Sequence, residues 1–397
     1  MTSVLWVSAQ PPALGAGGGP IRQAALLRGL AAAAETDLLL AGRLEDDELR
    51  GSLRQVVEVP ARARPLPDRA WTRRARHLTD ALVLRLPPEV VAHRPVRRAL
   101  APALAAAASY DVVCIDSIGL APLLDAGRQN RWVLNLHNRP SGMAAQRRAL
   151  SPGGRRAWLL RQEEHQTLSF ERWAAEHYDL LVAVSVADAI GLRGNVAVIP
   201  NGVDTAAVRP SPLPAEPRLV FTGALYTLPN IDGAVWFCRE VLPLVRRSMP
   251  TVSLDVVGSA PAPEVRALGA LAGVAVHPDV PSVVPHLAAA RLALVPLRIG
   301  TGTRVKALEA MAAGRPVVGT SVGLDGLGLT HGRDAWFADS PADLAAAVVR
   351  LLQDDDLSRS LAGAGRRLVE EHHDWSAIGD AYAQAVLGRW RQPVTAS

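Results

Sequence analysis

The segment 296–320 combines residue types and a spacing that can bind an anion. A loop of glycine and threonine follows a short apolar run, and a helix is predicted to begin at the N-cap Thr303 and to end at Gly314. The first turn of this helix holds Arg304 and Lys306 and no acid. Cations there are unfavourable by roughly 0.3–1 kcal/mol, because the helix dipole is positive at its N-terminus. We therefore expect an anion, such as a diphosphate, to lie between the helix end and both cations.

Lys306 is the only lysine in the chain, and every other member of the 43 basic residues is arginine. Lysine provides a compact, rotatable point charge where arginine provides a rigid fork, so a site that needs the former would keep a lysine against a coding bias toward arginine. Glu309 lies one helical turn further on. It can form a surface ion pair with Lys306, worth only about 0.2–0.5 kcal/mol, or accept hydrogen bonds from ribose hydroxyls. The anion-binding context favours the second interpretation.

A second glycine-rich loop, residues 15–19, follows the first predicted strand and opens a helix. Free N–H groups in such a loop can bind phosphate, which makes Gly18 and Gly19 candidates, although the loop can also be simply flexible. A dinucleotide fingerprint would need a glycine where Pro20 stands. A nicotinamide cofactor is therefore disfavoured, and no cofactor is expected.

Short apolar runs alternate with helical stretches along the chain, which predicts parallel sheets of the α/β class. In the first half the predicted strands are Val4–Val7, Asp37–Leu40, Asp111–Ile115, Trp132–Leu136 and Asp179–Val184, with helical stretches over Ile21–Ala34 and Ser141–His177. In the second half the predicted strands are Arg218–Phe221, Ser253–Val257, Val274–Val276, Leu292–Val295 and Pro316–Gly319.

A proline-rich stretch, residues 208–217, separates the two halves and has the composition of a linker. We therefore predict two α/β domains of similar size, 1–208 and 209–380. A C-terminal helix and tail, 381–397, follow, and the helix can cross back onto the first domain.

Composition excludes several classes of protein. The net charge of +5 is too small to indicate nucleic acid, and the two cysteines, Cys114 and Cys238, are too few for a disulfide framework or a cysteine zinc site. No apolar stretch reaches the ~18 residues of a spanning helix, and the N-terminus lacks the basic region of a signal peptide. A cytoplasmic enzyme is expected. The arginine-dense stretch 62–98 is either a set of solvated helix faces or a surface for anionic lipid, which would make the protein peripheral at the inner face of the membrane.

Several segments together resemble a known family. They are Gly17-Gly-Gly19, Leu134-Asn-Leu-His-Asn138, Asp179-Leu-Leu-Val-Ala-Val-Ser185, Val198-Ile-Pro-Asn-Gly-Val-Asp204, Phe221-Thr-Gly223, Val257-Gly258 and Gly302-Thr-Arg-Val-Lys-Ala-Leu-Glu309. In these segments the chain resembles the family 4 (group 1) glycosyltransferases of the GT-B type, and the last block resembles a bacterial branch found in envelope and secondary-metabolite clusters. The resemblance covers essentially the whole chain to about residue 388.

The resemblance implies a GT-B fold, with two Rossmann-like doubly wound parallel-sheet domains facing across a cleft. The N-terminal domain would bind a small-molecule, glycan or lipid-linked acceptor through residues that stay unassigned, and the C-terminal domain would bind a nucleotide-diphosphate sugar. A hexosyl unit would be transferred with retention and without a metal. The implied donor-binding residues are Gly18, Gly19, Gly223, Gly302, Thr303, Glu309 and Asp325, and the implied catalytic residues are His137, Arg304 and Lys306.

His137 follows a buried strand and precedes Asn138. A histidine there can be an ordinary core residue, but the carboxyl ends of parallel strands are also where α/β proteins bind ligands. Its role would be to hold the donor sugar or to polarise the acceptor, because in front-face retaining transfer the leaving phosphate oxygen takes the acceptor proton. Asp325 can contact the donor or simply shape a turn.

The chain departs from the family at three positions. Thr301 stands where many members have an acid that contacts the donor sugar, and Ala224 and Asn230 stand where many have arginine and lysine. We interpret Arg304 and Lys306 as the cations that replace this arginine and lysine. Two other functions stay open. One is a GT-B-fold NDP-sugar 2-epimerase, which needs no acceptor, and the other is a pseudo-transferase that binds nucleotide without turnover.

Overall fold

The computed structural model describes residues 1–13, 18–60, 86–125, 127–149, 151, 153–300 and 304–388. The chain divides into two compact units. The first comprises residues 1–200 together with 378–397, and the second comprises residues 201–377.

This division lies upstream of the sequence boundary predicted at residue 208. The segment 201–208 belongs to the second unit because its backbone is bonded to other parts of that unit. The N–H of Val203 donates to the carbonyl of His373 over 2.8 Å. Arg366 donates to the carbonyls of Thr205 and Val208 over 2.9 and 2.7 Å.

The first unit is built on a seven-stranded sheet. Its strands are β1 Ser3–Ser8, β2 Glu35–Ala41, β3 Gln55–Val59, β4 Val112–Asp116, β5 Arg131–Asn135, β6 Leu180–Ala183 and β7 Val196–Val198. They run parallel in the order β3-β2-β1-β4-β5-β6-β7. The α-helices are α1 Gly18–Ala33, α2 Asp47–Ser52, α3 Pro88–Ala92, α4 Arg94–Leu100, α5 Pro140–Ala149, α6 Gly154–His177 and α7 Val186–Ala189, with 3₁₀ segments at Ala103–Ser109 and Ile118–Leu123.

The second unit is built on a six-stranded sheet. Its strands are β8 Arg218–Thr222, β9 Ser253–Gly258, β10 Val274–Pro278, β11 Leu292–Val295, β12 Val317–Gly319 and β13 Trp336–Phe337. They run parallel in the order β10-β9-β8-β11-β12-β13. The helices are α8 Leu228–Trp236, a π segment Phe237–Val241, α9 Leu242–Ser248, α10 Pro263–Arg266, a 3₁₀ segment Ala267–Ala270, α11 Val284–Ala289, α12 Val305–Ala312, α13 Pro341–Gln353 and α14 Asp355–His372. A last helix, α15, spans Trp375–Val386.

Central strands in both units are buried along consecutive residues. Val4, Leu5, Trp6 and Val7 of β1 are each at most 5% exposed, and all of β11 is equally buried. Successive side chains of a strand point to opposite faces, so both faces of each sheet are covered by helices. This explains why these strands read as continuous apolar runs in the sequence.

Each sheet reverses its winding at one place. In the first unit β1 and β4 are neighbours although β2 and β3 lie between them in the chain, and in the second unit β8 and β11 are neighbours. The loops that leave the carboxyl ends of such a strand pair diverge to opposite faces of the sheet. The crevice between them is where open α/β sheets bind ligands. The fold therefore provides one such crevice in each unit.

Each of the ten strands predicted from the sequence is present, with its ends shifted by at most two residues. The sequence did not predict β3, β7 or β13. These three lie at or near sheet edges, where burial is partial or alternating. The helical stretch 141–177 is divided into α5 and α6, because the chain takes positive φ values at Gly153 and Gly154. No helix in the described ranges combines the length and apolar character needed to cross a bilayer.

The last helix packs into the first unit from Ile378 onward. The Tyr382 ring meets the Trp6 ring edge-on, with centroids 5.7 Å apart. Gly379 lies against Gly29 of α1 so closely that a Cβ on Gly29 would stand 2.4 Å from the Gly379 carbonyl carbon. Two backbones can approach this closely only where neither residue has a side chain.

We expect Gly29→Ala to destabilise the protein, although alanine is the better helix former by about 0.5–1 kcal/mol. The added methyl group meets backbone atoms that cannot turn away, and such overpacking costs about 1–3 kcal/mol. Gly51→Ala in α2 is the matched control, because a Cβ there has no heavy atom within 4 Å. Thermal unfolding should give a lower midpoint for Gly29→Ala and an unchanged or higher one for Gly51→Ala. Equal midpoints would mean that the helix contact is not as close as described.

Candidate active site

In the second unit, the chain turns sharply at Gly223, directly after β8. Gly223 has a φ of 152°, which favours glycine. A Cβ at this position would stand 2.8 Å from Nζ of Lys306 and 2.8 Å from Nδ2 of Asn230. The missing side chain therefore leaves the space that the lysine ammonium occupies beside the end of β8.

The ammonium of Lys306 is held by two neighbours. Its Nζ donates to Oδ1 of Asn230 over 2.5 Å and lies 4.1 Å from the ring centroid of Phe221, a cation–π contact. Nδ2 of Asn230 donates in turn to the carbonyl of Ala224 over 2.9 Å, which turns the amide oxygen toward the lysine. The charge of Lys306 thus lies next to Ala224 and Asn230, the two neutral residues at positions where many members of the resembled family have arginine and lysine.

The helix behind this lysine begins one residue later than the sequence predicted. Arg304 is the N-cap residue of α12, and Lys306 is the second residue of its first turn. The predicted N-cap, Thr303, lies outside the described residues, as do Thr301 and Gly302. The first turn holds no acid, and no described side chain caps it, so the N–H groups of Val305 and Lys306 can bind a ligand.

Arg304 is buried, with 7% of its surface exposed, and its Nη2 donates to the carbonyl of Val322 over 3.1 Å. Its guanidinium lies close to the backbone of Gly300, since a Cβ there would be 2.9 Å from Nη2. A buried cation is costly unless charged or polar groups surround it. Arg304 thus places a buried positive charge at the N-terminus of α12.

Glu309 lies one turn beyond Lys306 and is partly buried. The ion pair between these two side chains, the alternative raised by their spacing, does not form in the part of the chain that is described. Burial, with a smaller contribution from the neighbouring Arg304, lowers the pKa of Lys306 to about 7, while Glu309 opposes this shift. Burial raises the pKa of Glu309 to about 7, and Lys306 opposes that rise. Both charges are thus poorly compensated by the protein.

Asp325 is exposed on a turn between β12 and β13. It forms no hydrogen bond within the described ranges. The structure thus brings Gly223, Arg304, Lys306 and Glu309 to one end of the second sheet, at its point of reversal, and leaves Asp325 at the surface.

In the first unit, a cavity of about 260 Å³ lies at the carboxyl ends of β1, β4 and β5. This is the crevice at which the first sheet reverses its winding. Most of the side chains that line it are polar. They include Gln10, Gln23, Glu89, His93, Asp116, Ser117, His137 and Asn138, and the backbone of Gly19 completes one wall.

His137 faces Asp116 in this cavity. Nε2 of His137 lies 3.1 Å from Oδ1 of Asp116, a carboxylate that is only 1% exposed. Gln23 donates to the other oxygen, Oδ2, and fixes the carboxylate. Neither ring nitrogen of His137 has a hydrogen-bond partner in the described part of the chain, and Oδ1 of Asp116 has none either, so the contact between the two residues is one of charge. A buried carboxylate beside a histidine can orient the ring and stabilise a positive charge on it.

The segment that follows His137 is held in place by a buried glutamate of α6. Glu171 accepts hydrogen bonds from the backbone N–H and from Oγ of Ser141, over 2.9 and 2.6 Å, at the start of α5. Arg139 donates to the same carboxylate over 3.5 Å. Burial raises the pKa of Glu171, while these hydrogen bonds oppose the rise. His137 is therefore presented by a loop whose far end is bonded to α6.

Sequence reasoning assigned His137 and Gly19, which both line the cavity, and Gly18, which begins α1. It did not assign Asp116, Gln23 or Glu89. Asp116 had a usable signal, because it is an acid at the end of an otherwise apolar strand. The sequence contains no signal for Gln23, which is one of many residues of a predicted helix. It contains none for Glu89, which follows a stretch without a clear helix or strand pattern.

Comparison with known proteins agrees with these features. Residues 216–354 match the model of the family described as glycosyl transferases group 1. The chain is 30% identical over 348 residues to a glycogen synthase of Mycobacterium tuberculosis, a match that covers 82% of this chain and 71% of the relative.

Two solved structures are similar over nearly the whole chain. Sucrose-phosphate synthase from Thermosynechococcus elongatus has a TM-score of 0.72 at 19% identity, with 98% of this chain and 99% of that chain covered. HepE of Anabaena, solved with UDP-glucose, has a TM-score of 0.66 at 16% identity, with 98% and 100% covered. These likenesses, with the two parallel sheets, define the fold as GT-B. The chain belongs to the group 1 glycosyltransferases, and it is a transferase enzyme.

Proposed function

We propose that this protein is a retaining family 4 glycosyltransferase that transfers a hexosyl unit from a nucleotide-diphosphate sugar to an acceptor hydroxyl, in envelope glycan or secondary-metabolite assembly. The observation that carries the proposal is Lys306. Its ammonium stands at an uncapped helix N-terminus, at the reversal point of the second sheet, with a neutral amide as its nearest hydrogen-bond partner. A diphosphate is the ligand that would compensate this charge.

The donor site would use each of these groups differently. Arg304, Lys306 and the N–H groups of α12 would stabilise the leaving diphosphate, and the partly buried carboxylate of Glu309 would accept hydrogen bonds from the ribose hydroxyls. Gly302 and Thr303, which lie outside the described residues, would also bind the donor, and Asp325 would contact it only from the surface. HepE, which was solved with UDP-glucose, supports a nucleotide sugar as the donor class.

The transfer itself needs no protein nucleophile. The bond between the anomeric carbon and the phosphate oxygen breaks, and the acceptor oxygen bonds to the same face of that carbon. The acceptor proton passes to the leaving phosphate oxygen. His137, oriented by Asp116, would polarise the acceptor hydroxyl or hold the sugar, and Gly18 and Gly19 would approach the donor phosphate. The cations take the place that a metal ion has in other transferases.

Three further parts of the proposal rest on the sequence. The domain that holds the acceptor would be the N-terminal one. The location would be cytoplasmic. The arginine-dense stretch 62–98 would contact anionic lipid at the inner face of the membrane, although residues 61–85 lie outside the described part of the chain.

We expect Lys306→Met to weaken binding of the nucleoside diphosphate by roughly ten- to hundredfold, because a charge-assisted hydrogen bond contributes about 1.5–3 kcal/mol. Methionine keeps the length of the side chain and removes the charge. Arg359→Ala, which removes a cation from the exposed face of α14, is the control and should bind as the wild type does. Isothermal titration with UDP, GDP, dTDP and ADP would identify the base. Equal affinities of Lys306→Met and the wild type would exclude Lys306 from the site.

The affinity should also depend on pH in one direction. In the free protein the pKa of Lys306 is lowered to about 7, and a bound diphosphate raises it, so binding takes up a proton. Affinity should therefore fall as the pH rises above about 7, by up to about tenfold per pH unit. Lys306→Met should lose this fall in affinity and keep only the opposite effect of Glu309, whose pKa is also about 7. A Lys306→Met variant whose affinity changes with pH as that of the wild type does would show that Lys306 does not titrate there.

The reaction class is tested by product analysis. We expect release of the nucleoside diphosphate that depends on an added acceptor, and a product whose anomeric configuration matches that of the donor. A new NDP-sugar formed without acceptor would indicate a 2-epimerase instead. Nucleotide binding with no turnover over a broad acceptor panel would indicate a pseudo-transferase.

Asp116→Asn should lower kcat by roughly tenfold, or about 1.4 kcal/mol in the activation free energy, because it removes the negative charge that lies 3.1 Å from Nε2 of His137. It should leave nucleotide affinity unchanged, because Asp116 is not among the groups proposed to bind the diphosphate or the ribose. Asp111→Asn makes the same chemical change just before β4, outside the cavity, and serves as the control. Steady-state kinetics of both variants would decide. A kcat of Asp116→Asn equal to that of Asp111→Asn would contradict a role for Asp116.

A further inference from the structure

A second cluster of ligand-type side chains lies in the second unit, on its edge strand and the adjoining β9. Asp255 is on β9, His277 is on β10 and His286 is on α11. Their potential ligand atoms all lie within 4.8 Å of one another. None of the three takes part in the candidate active site described above.

The fold itself brings these residues together. In the parallel pairing of β9 and β10, Asp255 is opposite Ala275, so His277 lies two residues further along on the same face of the sheet. Nε2 of His277 is 3.1 Å from Oδ1 of Asp255. The helix α11 returns after β10 and places the ring of His286 against that of His277, with the centroids 4.6 Å apart.

The cluster also has an outer layer. Oδ2 of Asp255 faces Nη1 of Arg218 at 3.6 Å, and Arg218 binds Glu216 through Nη2 over 3.0 Å. These contacts leave Oδ1 of Asp255 on the side of the histidines. With neutral imidazoles the five groups carry a net negative charge, because two carboxylates face one guanidinium. A cation is therefore not repelled.

We propose that Asp255, His277 and His286 form a binding site for a divalent transition metal ion of the Zn²⁺ type. Two imidazoles and one carboxylate are a common ligand set for this ion, which would complete a four-coordinate site with water. His277 is 35% exposed at its side chain, so the ion can enter and a water ligand can bind. Arg218 would act from outside by orienting the carboxylate. The bound ion would tie β9, β10 and α11 together, and it would not take part in glycosyl transfer.

The test is a titration of the full chain with Zn²⁺ after chelator treatment, in competition with a chromophoric chelator. We expect one ion per chain to bind tightly to the wild type and to His372→Ala, which removes an exposed histidine elsewhere. His286→Ala should bind at least about tenfold more weakly, and the double variant His277→Ala/His286→Ala should lose the site. Zn²⁺ should raise the thermal midpoint of the wild type and leave that of the double variant unchanged.

Co²⁺ provides an independent readout. It should give the visible absorption of a four-coordinate ion in the wild type and none in the double variant. Zn²⁺ binding that is equal in the wild type and in the double variant would overturn the proposal. Nucleotide affinity, measured on the same variants, should not change. Loss of the metal site and loss of the donor site are therefore separate results.

Discussion

The burial of both faces of each parallel sheet is the constraint on which the rest of this structure depends. Helices cover both faces, so strands such as β1 and β11 have no room for polar side chains along their length. In these two strands, polar side chains are found only at the strand ends. The two reversal points, between β1 and β4 and between β8 and β11, are the carboxyl ends at which the connecting loops diverge. The His137–Asp116 cavity lies at the first, and Gly223 with Lys306 lies at the second.

A charge near the interior of such a unit must be compensated by something. Among the described residues, Lys306 contacts a neutral amide and an aromatic ring, and Glu309 does not pair with it. Burial lowers the pKa of Lys306 and raises that of Glu309. The charged form of each side chain is therefore destabilised when no ligand is bound. This is the pattern expected of groups that bind something else, since residues with perturbed pKa values gather at functional sites. A surface ion pair would have left both groups close to their ordinary behaviour.

The sequence was sufficient for the fold class because the central strands are continuous apolar runs, and it was insufficient for β3, β7 and β13 because partly covered strands lack that signal. For the site, residue type and spacing indicated Lys306 and Glu309, since a cation in the first turn of a helix conflicts with the dipole. The roles of Asn230 and Asp116 could not be derived in the same way. Asn230 is distant from Lys306 in the chain, and only the fold brings its amide oxygen to the ammonium. The same holds for Gln23, which reaches Asp116 from another element.

The single lysine among so many arginines can now be given a steric reason. Its Nζ stands where a Cβ on Gly223 would be only 2.8 Å away, and it lies 4.1 Å from the Phe221 ring centroid. A guanidinium is planar and broader than an ammonium, so it would meet the Gly223 backbone, the ring or Asn230 before its charge reached the same point. Arg304 shows the contrast, because its planar group lies along the backbone and donates to the carbonyl of Val322. The coding bias toward arginine is therefore opposed at position 306 by the space that Gly223 leaves, and the compact charge is kept because only a compact charge fits.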